Sequence, residues 1–326
     1  LYALEDQFPH ASLLPVICSN PATEQLVISP DQRTQPQLLT TPEEYKAKPN
    51  EQAQERRPIR KRWALLVGVN NYIDSDFGCL KFCVNDVLAL EKKLRELNYE
   101  VVCLHDQLPY NDTRFPTCDK VESELIKLRE KVKSDDLLLV HFACHGHIFD
   151  QTPTLILNNT RVNNWQRTAL TVKHLEQHMH LTGARRRVLT LDACHMGVET
   201  GRGIDDPWEF IHKVMSVETG RSIEPESIHN IHDLAEGFAL IAASTAQQRA
   251  RELNGMEHGI FTYYLLEALN GKADRNDKSF VTVDDIKNYV LDSIRRWVSV
   301  HGAFIQEPTA RTEGLGDIIL ADYRST

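Results

Sequence analysis

No apolar run in this sequence reaches the roughly 18 residues that a membrane-spanning helix requires, so no membrane partner is expected. Basic charge is also short. Acidic side chains outnumber Lys and Arg by 46 to 37, for a formal net charge of -9. The basic runs Arg56-Arg57, Arg60-Lys61-Arg62 and Arg185-Arg186-Arg187 are too short to form a stripe, which argues against a nucleic-acid binder. The seven cysteines are odd in number and follow no framework spacing, so they read as reduced thiols in a cytoplasmic protein rather than as a disulfide scaffold. Internal repeats are absent, and compositional bias is confined to one end. Residues 1–60 carry Pro9, Pro15, Pro21, Pro30, Pro36, Pro42, Pro49 and Pro58 among Gln- and Glu-rich stretches. They read as an extended prodomain or linker before a domain spanning 61–326.

From Trp63 onward the pattern becomes regular. Strands are expected at Trp63–Val69, Tyr99–Leu104, Asp136–Ala143, Arg187–Ala193 and Phe238–Ala243, with a last one at Gly316–Leu320. Apolar residues at helical spacing predict helices at Asn85–Leu97, Lys120–Val132, Val172–His180, Ile260–Leu269 and Val283–Trp297. Strands that are apolar throughout, alternating with helices, imply a mostly parallel sheet covered on both faces. The rhythm breaks between Cys194 and Gly237, a stretch of about 45 residues of the kind that is either functional or disordered.

Two predicted strands run into chemically loaded motifs. The third leads to Cys144-His145-Gly146-His147, and the fourth to Asp192-Ala193-Cys194-His195. Active sites of parallel sheets lie beyond the carboxyl ends of the strands, so a thiol and an imidazole are expected at one rim. An imidazole that takes the thiol proton makes a thiolate able to attack a carbonyl. This makes Cys194 the candidate nucleophile and His145 its base. Gly146 is expected at a sharp turn after the strand, and the amides of Cys194 and Gly146 are candidates for an oxyanion hole.

These motifs resemble the caspase-like cysteine peptidases, in particular the metacaspases and their bacterial relatives. His145-Gly146 after one strand and Asp192-Ala193-Cys194-His195-Met196-Gly197 after the next carry the resemblance. The stretch from Trp63 to Asn71, the FCVND motif at 82–86, the segments at 242–252 and 258–269, Gly271–Tyr289, Gln306-Glu307-Pro308 and Gly316–Ala321 extend it in the same order. The resemblance implies a caspase-like α/β sandwich of about six mostly parallel strands. It implies an endopeptidase with a Cys-His dyad and a protein or peptide substrate. Acids line the primary specificity pocket of metacaspases, and Asp86 and Asp192 match them, which implies cleavage after Arg or Lys. Two carboxylates facing one guanidinium make a bidentate, charge-matched site. Ala193 and Met196 stand where metacaspases tend to have Ser. No cofactor is implied. Asp205-Asp206 sits in the wrong part of the chain for the calcium site of some metacaspases, and the 274–285 stretch lacks the Gly and Glu of a calcium loop.

Other readings compete. Cys194 as a buried thiol and His145 as a core histidine would describe a caspase-fold adaptor that acts through a regulatory protein partner. Cys144, His145, His147, Cys194 and His195 would form an unusual zinc set. Asp86 would serve merely to cap its helix, and Asp192 the turn after its strand. A peptidase that prefers basic residues would also find sites in its own chain. Arg57, Arg60, Arg202 and Arg221 are the candidates for self-cleavage, with Lys213 between the last two.

Overall fold

The computed structural model describes residues 58–195, 207–217, 237–246, 257–301, 309–313 and 318–324. The prodomain expected at 1–60 therefore falls almost wholly outside the described residues, as do Arg57, Arg202, Arg221 and Asp205-Asp206.

The sheet is built around β1 (Arg62–Gly68), which pairs in parallel with β2 (Tyr99–His105) on one side and β3 (Leu137–Phe149) on the other. Next to β3 come β6 (Arg186–His195) and β7 (Phe238–Ala246), both parallel, and then β9 (Thr309–Glu313), which runs antiparallel. The order is β2-β1-β3-β6-β7-β9, six strands of which five are parallel. A short antiparallel extension, β4 (Thr152–Ile156) with β5 (Leu170–Thr171), hangs on the far end of β3. This is the caspase-like α/β sandwich that the sequence implies.

Period-two alternation decides what covers each face. Along β3, Leu138, Val140, Phe142 and Cys144 join one hydrophobic cluster, while Leu137, Leu139 and Ala143 join the other. The first cluster is closed by α2 (Cys118–Lys131), α4 (Val172–Leu181) and α5 (Pro207–Met215), through residues such as Leu125, Leu175 and Phe210. The second is closed by α1 (Cys83–Glu96), α6 (Ile260–Glu267) and α7 (Val283–His301), through Leu90, Phe261 and Ile286. A four-residue helix, α3 (Trp165–Thr168), lies between β4 and β5 in the chain and stacks Trp165 on Phe149.

Three expectations need correction. The third and fourth strands do not end at Ala143 and Ala193; they continue through Phe149 and His195, so His145, Gly146 and Cys194 are strand residues. Gly146 therefore serves no turn. A Cβ there would lie 2.6 Å from the ring of Phe210, so glycine is required because α5 packs on the strand backbone. The last predicted strand is real as β10 (Ile319–Asp322), but it pairs with β8 (Phe280–Thr282) in a separate ribbon. The edge of the main sheet is β9 instead.

Part of the long loop after Cys194 is the helix α5, docked at both ends of its packed face. Phe210, Ile211 and Val214 are buried in the sheet cluster. At its far end the Arg311 guanidinium on β9 donates to the carbonyls of Met215 (3.0 Å) and Val217 (2.8 Å). A cation bonding the last carbonyls of a helix satisfies acceptors with no partner inside the helix. Arg311 also pairs with buried Glu176 on α4 at 2.9 Å, joining two helices and an edge strand. Phe210→Ala should cost about 3–5 kcal/mol of stability in urea unfolding, because the void beneath it is floored by backbone that cannot collapse. A loss under about 1 kcal/mol would show that α5 is not part of the cooperative core.

Candidate active site

The two strands that carry the expected dyad are adjacent and parallel, with His145 and Cys194 as register partners. Level pairs on neighbouring parallel strands have their Cα atoms at strand spacing, about 4.8 Å. Alternation places positions 192 and 194 on the face of the sheet that α1 and α6 cover, with His145 on the same face. The Cys144 thiol is buried in the opposite cluster, which splits the proposed zinc set between two sides of the sheet. Among the described residues no group of three or more His, Cys, Asp or Glu is arranged to hold a metal ion.

His145 is fully buried and its ring is held from two directions. Nε2 lies 2.7 Å from the Gly78 carbonyl. A carbonyl only accepts, so Nε2 carries the proton and Nδ1 is the basic nitrogen. Tyr72 stacks on the imidazole with ring centres 4.8 Å apart, and its hydroxyl accepts the His145 backbone N–H at 2.9 Å. The loop supplying Tyr72 and Gly78 is itself anchored. Asp106 Oδ2 accepts from the Asn70 and Asn71 backbone N–H groups at 3.1 and 2.5 Å. Asn70 in turn accepts from the Val84 amide in the first turn of α1. Neither Tyr72 nor Gly78 carries a sequence signal of its role; a carbonyl acceptor has no side chain to read.

Asp86 from α1 and Asp192 from β6 converge on one point. Both meet at Gly259, the residue before α6. A Cβ on Gly259 would lie 2.9 Å from Asp192 Oδ2 and 3.1 Å from Asp86 Oδ2. The Gly259 amide donates to both Asp86 oxygens, at 3.1 and 3.3 Å, and the Thr262 hydroxyl donates to Asp192 Oδ2 at 2.9 Å. His258 adds its Nδ1–H to Asp86 Oδ1 at 2.9 Å. Asp86 thus does cap a helix end, but that of α6 and not of its own helix, and Asp192 caps no turn because its strand continues past it. The positive end of the α6 dipole faces both carboxylates, as anions at helix N-termini prefer.

Burial opposes that attraction. It pushes Asp86 up to about 6, against the lowering pull of His258 and Gly259. Asp192 rises to about 7 through burial first and the charge of Asp86 second. Buried acids shifted in this way are candidates for a functional site. By contrast, burial raises the thiols of Cys103 and Cys118, the latter to about 12, so neither of these two carries thiolate character.

A caspase-domain family model matches residues 61–314, and the chain belongs to that family, which is one of cysteine peptidases. Comparison with curated proteins returns no match. Among solved structures, the chain is similar to protein GSU0716 from Geobacter sulfurreducens, at 19% identity and a TM-score of 0.49, over 79% of this chain and 95% of that one. Among the described residues no helix is long and apolar enough to cross a membrane.

The raised acids fix a direction for stability. A carboxyl whose folded pKa exceeds its unfolded value binds more protons in the folded state, so stability falls as pH climbs from about 4 to about 7. Asp192→Asn keeps an acceptor for Thr262 without the charge. It should flatten that slope and add on the order of 2 kcal/mol at pH 8 in chemical denaturation. An unchanged slope would mean that Asp192 is not buried as a charge.

Proposed function

We propose that the chain is a cysteine endopeptidase that cleaves peptide bonds after Arg or Lys. The observation that carries this reading is the level pairing of His145 and Cys194 on adjacent strands, with Asp86 and Asp192 converging on the same face. His145 Nδ1 takes the thiol proton, and the thiolate attacks the scissile carbonyl. The negative charge of the tetrahedral intermediate falls to the backbone amides of Cys194 and Gly146. His145 returns the proton to the leaving amine as the C–N bond breaks, and water then hydrolyses the thioester with His145 as base. Gly78 and Tyr72 hold the imidazole in the required tautomer and orientation. The chemistry draws on no cofactor.

A guanidinium or ammonium beside Asp86 and Asp192 would neutralise a pair of acids that burial alone disfavours as anions. That gives the enzyme a reason to discriminate for cations and against acidic side chains.

Cys194→Ala should abolish hydrolysis of Arg-containing peptides with the fold intact by circular dichroism, and His145→Ala should lose nearly as much, because the two act as a unit. Retention of wild-type turnover by Cys194→Ala would end the reading of Cys194 as nucleophile, whereas no turnover by the wild type itself would leave an adaptor that acts by binding. In a peptide-library profile, cleavage after Arg and Lys is expected; a preference for Asp would refute the pocket.

The same specificity makes the chain its own substrate at Arg57, Arg202 and Arg221. Arg60 ranks last: its guanidinium is tied to wholly buried Asp136 at 2.7 Å and its backbone leads directly into β1. Lys213 is protected by its place within α5. Mass spectrometry of the purified chain should find termini at the first three sites in the wild type and none in Cys194→Ala. Identical fragments in both proteins would assign the cuts to another protease.

A further inference from the structure

The acid pair is occupied by the chain itself. Asp86 is 2% exposed and Asp192 6%. Among the described residues four donors close over them: the Gly259 amide, the Thr262 amide and hydroxyl, and the His258 imidazole. These donors differ in kind. Gly259 and Thr262 belong to the start of α6, which is packed into the core through Phe261 and Leu265. They cannot leave without unseating the helix. His258 precedes the helix, its side chain is 26% exposed, and one rotation about its own bonds would remove it. The segment beneath it is held, because the Asn85 side chain on α1 donates to the Glu257 carbonyl at 3.3 Å. Among the described donors the imidazole is thus the one that can leave by side-chain rotation alone.

We infer that His258 is a built-in competitor for the acid pair, holding with its imidazolium the place a substrate's guanidinium or ammonium takes, so that a basic side chain enters only as His258 swings out. The inference rests on the basic-residue specificity proposed above and adds how that pocket is kept shut. An imidazolium is a planar cationic donor, as a guanidinium is, but it offers Asp86 one N–H where a guanidinium offers a fork. A true substrate therefore outcompetes it, while weak or neutral side chains do not.

The competition depends on pH. Among the described residues the titratable groups acting on His258 are Asp86 on α1 and Glu257 on its own segment, while Asp192 on β6 interacts by charge with Asp86. The hydrogen bond to Asp86 raises the imidazole's affinity for its proton, partly offset by burial. Above about pH 6, where Asp86 ionises, and below its own pKa, His258 is a cation paired with an anion and the gate is tight. Above it, only a neutral hydrogen bond remains, and the gate loosens as both acids become ionised.

Benzamidine, a planar amidinium that stays charged across this range, tests the gate without turnover. Its binding to the Cys194→Ala chain is measured by calorimetry near about pH 6 and about pH 8.5, with and without His258→Ala. Removing His258 should tighten binding by about tenfold at the lower pH, with the gap narrowing at the higher. Equal affinity in both proteins at both values overturns the gate while leaving the basic pocket standing. Binding to neither protein overturns the pocket, and the gate with it. Should His258→Ala not fold, His258→Gln, which keeps size and a donor without charge, should give a smaller gain at low pH; no gain counts against the gate. Independently, the His258 imidazole should titrate at lower pH in Asp86→Asn, followed by NMR, and an unmoved titration refutes the pairing.

Discussion

Ten consecutive pairs lock β3 to β6, from Leu137 against Arg186 to Gly146 against His195, and every later feature of the site inherits that register. Side chains alternate faces along a strand, so a slip by one residue would turn His145 into the opposite core and leave position 194 facing its neighbour's back. The sequence guards against the slip on both sides at once. Leu138, Val140 and Phe142 need one cluster, Leu137, Leu139 and Ala143 need the other, and neither set tolerates exchange. The reactive pair thus owes its alignment to aliphatic residues far from any chemistry. Gly146 extends the arrangement by one step: its missing side chain lets Phe210 of α5 lie on the strand immediately beside the dyad.

The second organising interaction is electrostatic. Two buried carboxylates would repel, and each alone would cost several kcal/mol as an anion in a dry interior. The start of α6 makes the pair tolerable by presenting amide and hydroxyl donors with the positive end of a helix dipole behind them. The same acids are therefore structural partners of a helix and candidates for substrate recognition. These two duties pull in opposite directions, since every donor that stabilises the pair is a donor that a substrate must join or replace. A site of this design is stable in proportion to how well it is already satisfied.

Much of this was legible in the residues. Apolar runs between helical patterns identified the strands of the parallel sheet, because a strand buried on both faces must be apolar throughout. His145 and Cys194 stand out in the sequence because each lies in a chemically loaded motif at a strand end, and Asp86 and Asp192 through the family resemblance. What escaped was of three kinds. Strand ends were misplaced because His145, Gly146 and Cys194 are polar or small, and their burial depends on partners remote in sequence. The edge strand β9, TARTE, lacks any apolar run; its place is set by pairing with β7 and by the Arg311 bridge. The groups that orient His145 are a carbonyl at Gly78 and a tyrosine in a loop, which no pattern flags. Conversely, β3 holds three histidines on one face, and residue type alone does not rank them. His141 bonds Thr190 at 2.9 Å and burial holds it neutral, with its pKa down to about 3. His147 packs edge-on against Phe149. Only His145 lies level with Cys194.

The seating of α5 has a consequence for what happens if the chain is severed. The helix is fixed by Phe210 against Gly146, by Ile211 and Val214 in the sheet cluster, and by Arg311 on its terminal carbonyls. None of these ties runs through the peptide bonds that connect α5 to its neighbours in sequence. A break before it and another after it would turn the helix into a separate polypeptide without removing it from the domain. Covalent continuity and architectural integrity are then independent variables: a protein that migrates as several pieces under denaturing conditions would still travel as one particle in native solution.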